Sequence, residues 1–185
     1  MSIDASAIER RIKSQKRLNQ LGTRNPSDLM SVSDIGDGIP NLLFDTNVYI
    51  KNAAGTLPPT AESVVDRCNS FHCSVCIGEL MTGVGNRHPA HPSWIASRNH
   101  IFGLVGAIPD HKLLGPDEDI WAEAGLIAGT LARIQNFQPH QRKECLNDAL
   151  IYLTSAKVGI AVLTENRQEF DWIQQLAGRG NFVYF

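Results

Sequence analysis

The chain has 185 residues, which is enough for one domain with a hydrophobic core and a short appendage. Its 43% hydrophobic content is typical of a water-soluble globular protein. No apolar run reaches the roughly 18 residues of a membrane span, and the N-terminus lacks the apolar stretch of a signal peptide. Four cysteines without such a signal favour reduced thiols, so we expect a cytoplasmic protein that does not associate with a membrane.

The net charge of −2 is distributed unevenly along the chain. Residues 1–33 hold six Lys or Arg against three Asp or Glu, so this part carries +3 and the remainder carries −5. An acidic main domain argues against nucleic-acid binding through a generally basic surface. It is compatible with a metal-dependent nuclease, because bound divalent ions bring positive charge to the phosphate.

The first forty residues differ in composition from the rest of the chain. Residues 5–20 predict a basic, weakly amphipathic helix, and residues 22–40, with their Gly, Pro, Ser and Asp, predict a linker. This segment is either an arm that contacts RNA or a partner, or a solvated, partly disordered extension. We therefore divide the chain into a basic N-terminal extension with a linker over 1–40 and a main domain over 41–185.

The main domain alternates short apolar runs with helical patterns. The predicted strands cover 41–44, 72–75, 160–163 and 181–185, and residues 112–114 are either a short strand or an extended link. The predicted helices cover 46–54, 58–69, a segment around Glu79, 92–105, 116–137, 142–157 and 165–176. Strands that alternate with helices predict an α/β fold with a parallel sheet between helices. In such sheets, sites form at the carboxyl ends of the strands.

Asp45 directly follows the strand 41–44 in the run NLLFDTNVYI. Its ordinary role would be a helix N-cap, but Thr46 or Asn47 can cap the helix equally well. An aspartyl nucleophile of the haloacid-dehalogenase type needs a second Asp two residues on, where this chain has Asn47. A carboxylate beside an apolar strand is costly unless a cation meets it, so we interpret Asp45 as a metal ligand.

Two further carboxylates lie in apolar segments predicted to be helical. Glu79 lies in CSVCIGELMTG beside the packed face, and the alternative for it is a solvent-exposed surface Glu. Asp148 lies in a helix that is apolar nearly all round, where a polar residue needs a partner. Its alternative role is to interact with the dipole at the N-terminal turn of the helix. We interpret both carboxylates as metal ligands.

The fourth position lies in IAVLTENRQEF, after the strand 160–163. Thr164 either caps the next helix or holds a water or a phosphate oxygen at the end of the strand. Spacing does not decide which of Asn166, Glu169 and Asp171 completes the acidic cluster, and the number of metal ions depends on that choice. Oxygen ligands of these types favour Mg²⁺ or Mn²⁺.

The ordered set LLFDTNVYI, GELMTG, NDALIYLTSAKVGIAVLT and TENRQEF resembles the PIN-domain ribonucleases, most closely the VapC-type toxins of bacterial toxin–antitoxin pairs. The resemblance covers about residues 41–185. It implies a three-layer α/β/α sandwich with a central parallel sheet of four to five strands. It also implies Mg²⁺- or Mn²⁺-dependent endoribonuclease activity, with Asp45, Glu79 and Asp148 as the three core acids.

The chain departs from the family pattern at one corner of the site. The fourth family acid is often an Asp two residues after the Thr, where this chain has Asn166. Many relatives have an acid before the Phe instead, and Glu169 matches that position. The predicted catalytic residues are therefore Asp45, Glu79, Asp148, Thr164, Asn166 and Glu169, and the predicted metal ligands are Asp45, Glu79, Asp148 and Glu169.

The resemblance implies an RNA substrate, a small antitoxin protein that blocks the acidic site, and a homodimer. The sequence therefore predicts the toxin of a toxin–antitoxin pair, cleaving RNA phosphodiester bonds with metal-activated water. One alternative is a PIN nuclease of RNA processing that has no antitoxin. The other is a catalytically inactive RNA-binding or scaffold protein, which Asn166 makes conceivable.

Overall fold

The computed structural model describes residues 3–185. The strands are β1 (Asn41–Phe44), β2 (Asn69–Cys73), β3 (Leu113–Leu114), β4 (Ala161–Thr164) and β5 (Asn181–Tyr184). Within the described residues, the α-helices are α1 (Ala5–Ile12), α2 (Thr46–Ala54), α3 (Pro59–Arg67), α4 (Ser74–Asn86), α5 (Trp94–Gly106), α6 (Glu118–Ile134), α7 (Pro139–Lys157) and α8 (Arg167–Ala177). No helix in residues 3–185 is long and apolar enough to cross a membrane.

The strands form a single sheet in the order β3-β2-β1-β4-β5, and every neighbouring pair is parallel. Leu43 of β1 and Val162 of β4 are partners in the register, and both are fully buried at the centre of the sheet. Helices α6, α7 and α8 pack against one another, and α4 contacts α2, α5 and α7. The predicted α/β fold with a parallel sheet between helices is confirmed.

Most predicted elements form within a few residues of their predicted ends. Strand β2 begins at Asn69, earlier than predicted, because its first three residues pair with those of β1. Helix α7 also begins early, at Pro139, whose ring suits the first turn of a helix. Gly159 follows α7 with a φ of +72°, a left-handed conformation that favours glycine at the end of a helix.

The N-terminal residues pack on the main domain, which argues against the alternative of a solvated, partly disordered extension. Helix α1 ends at Ile12, well before residue 20, and Lys13 leaves it with a φ of +56°. Ile8 and Ile12 lie four residues apart on one helical face, and both are buried where α1 meets α6 and α8. Leu18, which the predicted longer helix contained, is 76% exposed.

The predicted linker also makes specific contacts. The backbone N–H of Arg24 donates to Oδ2 of Asp171 at 2.8 Å, and its Nε donates to Oδ1 at 2.5 Å. The backbone N–H of Tyr184 donates to the carbonyl of Met30 at 3.1 Å. These contacts fasten residues 24–31 to α8 and β5. The division of the chain at residue 40 stays a prediction.

Arg24→Ala is expected to lower the free energy of unfolding by about 2 kcal/mol, because it leaves the carboxylate of Asp171 buried without its cation. Urea unfolding at neutral pH measures the change. Arg10→Ala is the matched control, since its ion pair with Asp4 is exposed and should be worth less than about 1 kcal/mol. Adding Asp171→Asn to Arg24→Ala should recover part of the loss. Equal stability of the two single variants would contradict the prediction.

Candidate functional site

The candidate site lies where β1 and β4 end side by side. Phe44 and Leu163 are register partners, and the backbone N–H of Asp45 donates to the carbonyl of Leu163 at 3.0 Å. Asp45, directly after β1, therefore lies beside Thr164, the last residue of β4. Both side chains are buried, with Asp45 only 4% exposed. This edge is the carboxyl end of the parallel sheet, where sites form in α/β folds.

Asp45 is held by three hydrogen bonds. Its Oδ1 accepts from the backbone N–H of Thr46 at 2.6 Å. Its Oδ2 accepts from the Thr164 hydroxyl at 2.6 Å and from Nδ2 of Asn47 at 2.5 Å. Burial nevertheless raises the pKa of Asp45 to about 6, and the charge of Glu79 adds to the rise.

The N-cap of α2 is Asp45 itself, so the expectation that Thr46 or Asn47 would cap this helix is wrong. The physical reason is that both side chains have other partners. The Thr46 hydroxyl donates to Oε2 of Glu79, and the Asn47 amide donates to Asp45 and to the Thr164 hydroxyl. Asp45 therefore combines a capping position with membership of the acidic group.

Glu79 is half-buried on α4, as expected of a carboxylate beside a packed face. Its Oε1 accepts from Nδ2 of Asn147 at 2.7 Å, while its Oε2 accepts from Thr46. These two bonds tie α4 to α7 and to α2. They hold Glu79 in place beside Asp45.

Asp148 is half-buried on α7, one residue after Asn147. Its pKa is raised well above the ordinary value, first by burial and then by the charges of Asp45, Glu169 and Glu79. Asp148 is therefore close enough to the other three carboxylates for their charges to oppose its ionisation. None of the ion pairs in residues 3–185 involves any of them.

The part of the site that the sequence did not define contains Asn166 and Glu169. Nδ2 of Asn166 donates to Oδ2 of Asp148 at 3.0 Å and also to Oε2 of Glu169. Asp171 lies elsewhere, because Arg24 and Gln175 bind its carboxylate. The structure thus brings Asp45, Glu79, Asp148, Thr164, Asn166 and Glu169 together and leaves Asp171 out.

The donor set fits a hard divalent cation, because a group of one buried and three half-buried carboxylates without a cationic partner is stabilised by one. Within residues 3–185, no group of three or more His, Cys, Asp or Glu side chains already has the geometry of a metal site. Hydroxyl and amide donors lie between the carboxylates instead. Binding a cation would therefore require small movements of these side chains.

Three residues of the site were not among the predicted site residues. Thr46, Asn47 and Asn147 each donate a hydrogen bond to Asp45 or Glu79. For Thr46 and Asn47 the available signal was their position directly after a strand-terminal Asp. For Asn147 it was a second polar residue in an otherwise apolar helix.

Known structures share this fold. A chain of VapBC-1 from nontypeable Haemophilus influenzae aligns with a TM-score of 0.53 and 20% identity, over 78% of this chain and 97% of that one. A chain of FitAcB from Neisseria gonorrhoeae aligns with a TM-score of 0.53 and 16% identity, over 78% of this chain and 96% of that one. No protein-family model and no curated protein matches the sequence. At these identities the likeness concerns the fold, which is PIN-like as predicted.

Asn166→Asp is expected to lower the free energy of unfolding by about 1 to 2 kcal/mol in the absence of divalent ions. It replaces the donor that Asp148 and Glu169 share with a further carboxylate. Thermal unfolding in EDTA measures the effect, with Asn52→Asp on the exposed side of α2 as the control. If the two variants unfold at the same temperature, Asn166 does not bridge the carboxylates in solution.

Proposed function

We propose that this protein is a Mg²⁺- or Mn²⁺-dependent endoribonuclease. The observation that carries the proposal is the group of four carboxylates (Asp45, Glu79, Asp148 and Glu169) at the carboxyl edge of the sheet, with which no Lys or Arg of residues 3–185 forms an ion pair. Their charges repel one another across a partly solvent-accessible edge. The fold that presents them is shared with VapBC-1 and FitAcB.

The residues divide the work between binding and orientation. Asp45 and Asp148 would hold a divalent ion most directly. Burial and nearby negative charges raise the pKa of both carboxyl groups, so a cation would stabilise their ionised forms. Such an ion neutralises phosphate charge and lowers the pKa of water for attack on phosphorus. Glu79 and Glu169 supply further oxygen ligands from α4 and α8.

The neutral side chains keep the carboxylates in position. Thr164 and Asn47 orient Asp45, Asn147 and Thr46 orient Glu79, and Asn166 lies between Asp148 and Glu169. Hydrogen-bonding partners of metal-binding carboxylates orient them. Here they keep the carboxylates near one another, and some of these hydrogen bonds would have to rearrange for a cation to bind.

The finer proposal is that the nuclease is the toxin of a toxin–antitoxin pair. The resemblance of its four segments to VapC-type toxins supports this, together with the fold shared with VapBC-1. A small antitoxin protein would then block the acidic group, and the toxin would form a homodimer. Without such an inhibitor, the same site would serve RNA processing.

Expression of the wild type and of Asp45→Asn in cells, followed by mapping of new RNA 5′ ends, tests the proposal. We expect growth arrest and discrete cuts with the wild type only. Co-expression of a small protein encoded beside the gene should relieve the arrest if the toxin role is correct. Cuts that persist in Asp45→Asn would overturn the proposed site, and RNA binding without cleavage would favour the inactive RNA-binding alternative.

A further inference from the structure

Helix α5 is poorly covered by the rest of the protein. None of its residues is buried, and its main contacts are with α4. Ile95 is 65% exposed and Phe102 is 40% exposed. An apolar helix face left open to solvent marks a surface that another molecule contacts.

The same region carries only positive charge. Between Glu79 and Asp110 the sequence has two Arg and three His but no Asp or Glu, although the chain as a whole is acidic. Arg87 and Arg98 form no ion pair among the described residues. They are therefore available to an anionic ligand.

Aromatic rings lie next to the arginines. The guanidinium of Arg98 is 4.4 Å from the ring centroid of Phe102 and 5.8 Å from that of Trp94. Arg87 donates to the hydroxyls of Ser93 at 3.0 Å and Ser97 at 2.6 Å, which holds it along α5. Arginines interleaved with aromatic rings are the side chains that bind single-stranded nucleic acid, through phosphates and stacked bases.

Some of these side chains line a groove between α2, α4 and α5, which we call the α5 groove. Its volume is about 550 Å³, and its apolar lining includes Ile50, Leu80 and Ile101. Arg87, Arg98 and Trp94 also line it. Thr46 and Glu79 belong to the same groove, so it is continuous with the acidic group.

A second cleft, between α4 and α7, also includes Glu79 and has a volume of about 730 Å³. Its remaining charged residues are Lys143 and Glu144, whose charges cancel. A polyanion that crosses the acidic group must continue along a neighbouring surface. The α5 groove, which contains two arginines and no acid besides Glu79, favours it more strongly.

We propose that the α5 groove binds the single-stranded ribonucleotides that flank the cleaved bond. Arg87 and Arg98 contact the phosphates, and Trp94 stacks on a base. This rests on the proposed nuclease function. Continuity with the acidic group favours an RNA strand, because the strand has to lie across the carboxylates for cleavage to occur and the two arginines attract its phosphates.

Fluorescence polarisation of a labelled single-stranded RNA tests the proposal on the full chain carrying Asp45→Asn, a variant that we expect to leave the probe uncleaved. Adding Arg98→Ala or Trp94→Ala should weaken binding about tenfold. Each arginine removed should make the slope of log affinity against log salt shallower by about 0.7. Arg10→Ala is the matched control, since Arg10 lies on α1 with its side chain 71% exposed, and it should bind as the parent does.

Two results would overturn the proposal. One is Arg98→Ala and Trp94→Ala variants that bind RNA as tightly as Arg10→Ala, with unchanged unfolding temperatures. The other is unchanged RNA affinity in variants that sediment as monomers where the parent protein sediments as a dimer. That result would assign the groove to a second copy of the chain. Loss of binding in the variants while the wild type cleaves no RNA would support the groove and overturn only the nuclease function.

Discussion

Asp148→Asn is expected to slow RNA cleavage by the purified protein in Mn²⁺ at least about 1,000-fold. Asn keeps the shape of the side chain and can still accept the hydrogen bond from Asn166, but it lacks the charge that a divalent ion requires. The raised pKa of Asp148 means that the fold opposes its ionised form. The variant should therefore be at least as stable as the wild type at neutral pH. Initial rates on a fluorogenic RNA and thermal unfolding measure the two effects.

Glu165→Gln is the matched control for this prediction. Glu165 lies between Thr164 and Asn166 at the same edge, but its side chain is exposed and pairs with Lys51 at 3.0 Å. Its replacement should change the cleavage rate by less than about threefold. Equal losses in the two variants would mean that general charge at this edge, and not the four carboxylates, supports cleavage.

Without divalent ions, the protein is expected to lose stability as the pH rises from about 4 to about 7. The pKa of Asp45 is raised from 3.8 to about 6, so the folded state holds this proton more tightly than the unfolded state does. The unfolded state therefore binds fewer protons between these two values, and the free energy of unfolding falls as the pH rises. The loss from Asp45 is about 3 kcal/mol, complete above about pH 6, and Asp148 acts in the same direction.

Urea unfolding in EDTA at about pH 5 and pH 7 measures the upper part of this loss, which is about 1.3 kcal/mol for Asp45. Asp45→Asn should reduce the difference between the two pH values, because it removes the titration of Asp45 and also the charge that helps to raise the pKa of Asp148. Mn²⁺ at about a hundred times its dissociation constant should return about 2.7 kcal/mol to the wild type at pH 7 and much less to the variant. If the free energy of unfolding of the wild type changes neither with pH nor with Mn²⁺, the carboxylates do not repel one another in solution.

The strands and their terminal residues were predictable because their signals are local. A short apolar run followed by Asp or Thr marks a buried strand that ends at a polar edge, and β1 and β4 both follow this pattern. The alternation of strands and helices then places Asp45 and Thr164 at the same edge. Residues two apart on a helix, such as Glu169 and Asp171, do not share a face, so the sequence indicated that only one of them joins the acidic group but not which one.

The contacts that hold the site together were not predictable from local patterns. Asn147 reaches Glu79 across 68 positions of sequence, and Arg24 reaches Asp171 across 147. Such pairs exist only once the helices have packed. For the same reason the composition of residues 1–40 suggested a solvated segment, although a few apolar and charged side chains are enough to fasten it to the domain.

The N-terminal residues also close one side of the sheet. Strand β5 is the last in the strand order, and Ser31 bridges to Tyr184 in parallel while Tyr184 donates to Met30. An uncovered outer strand offers its backbone groups to strands of other molecules. A fragment that begins at residue 41 would expose the outer edge of β5. If such a fragment aggregated, the cause would be the exposed strand edge, even with the acidic group intact.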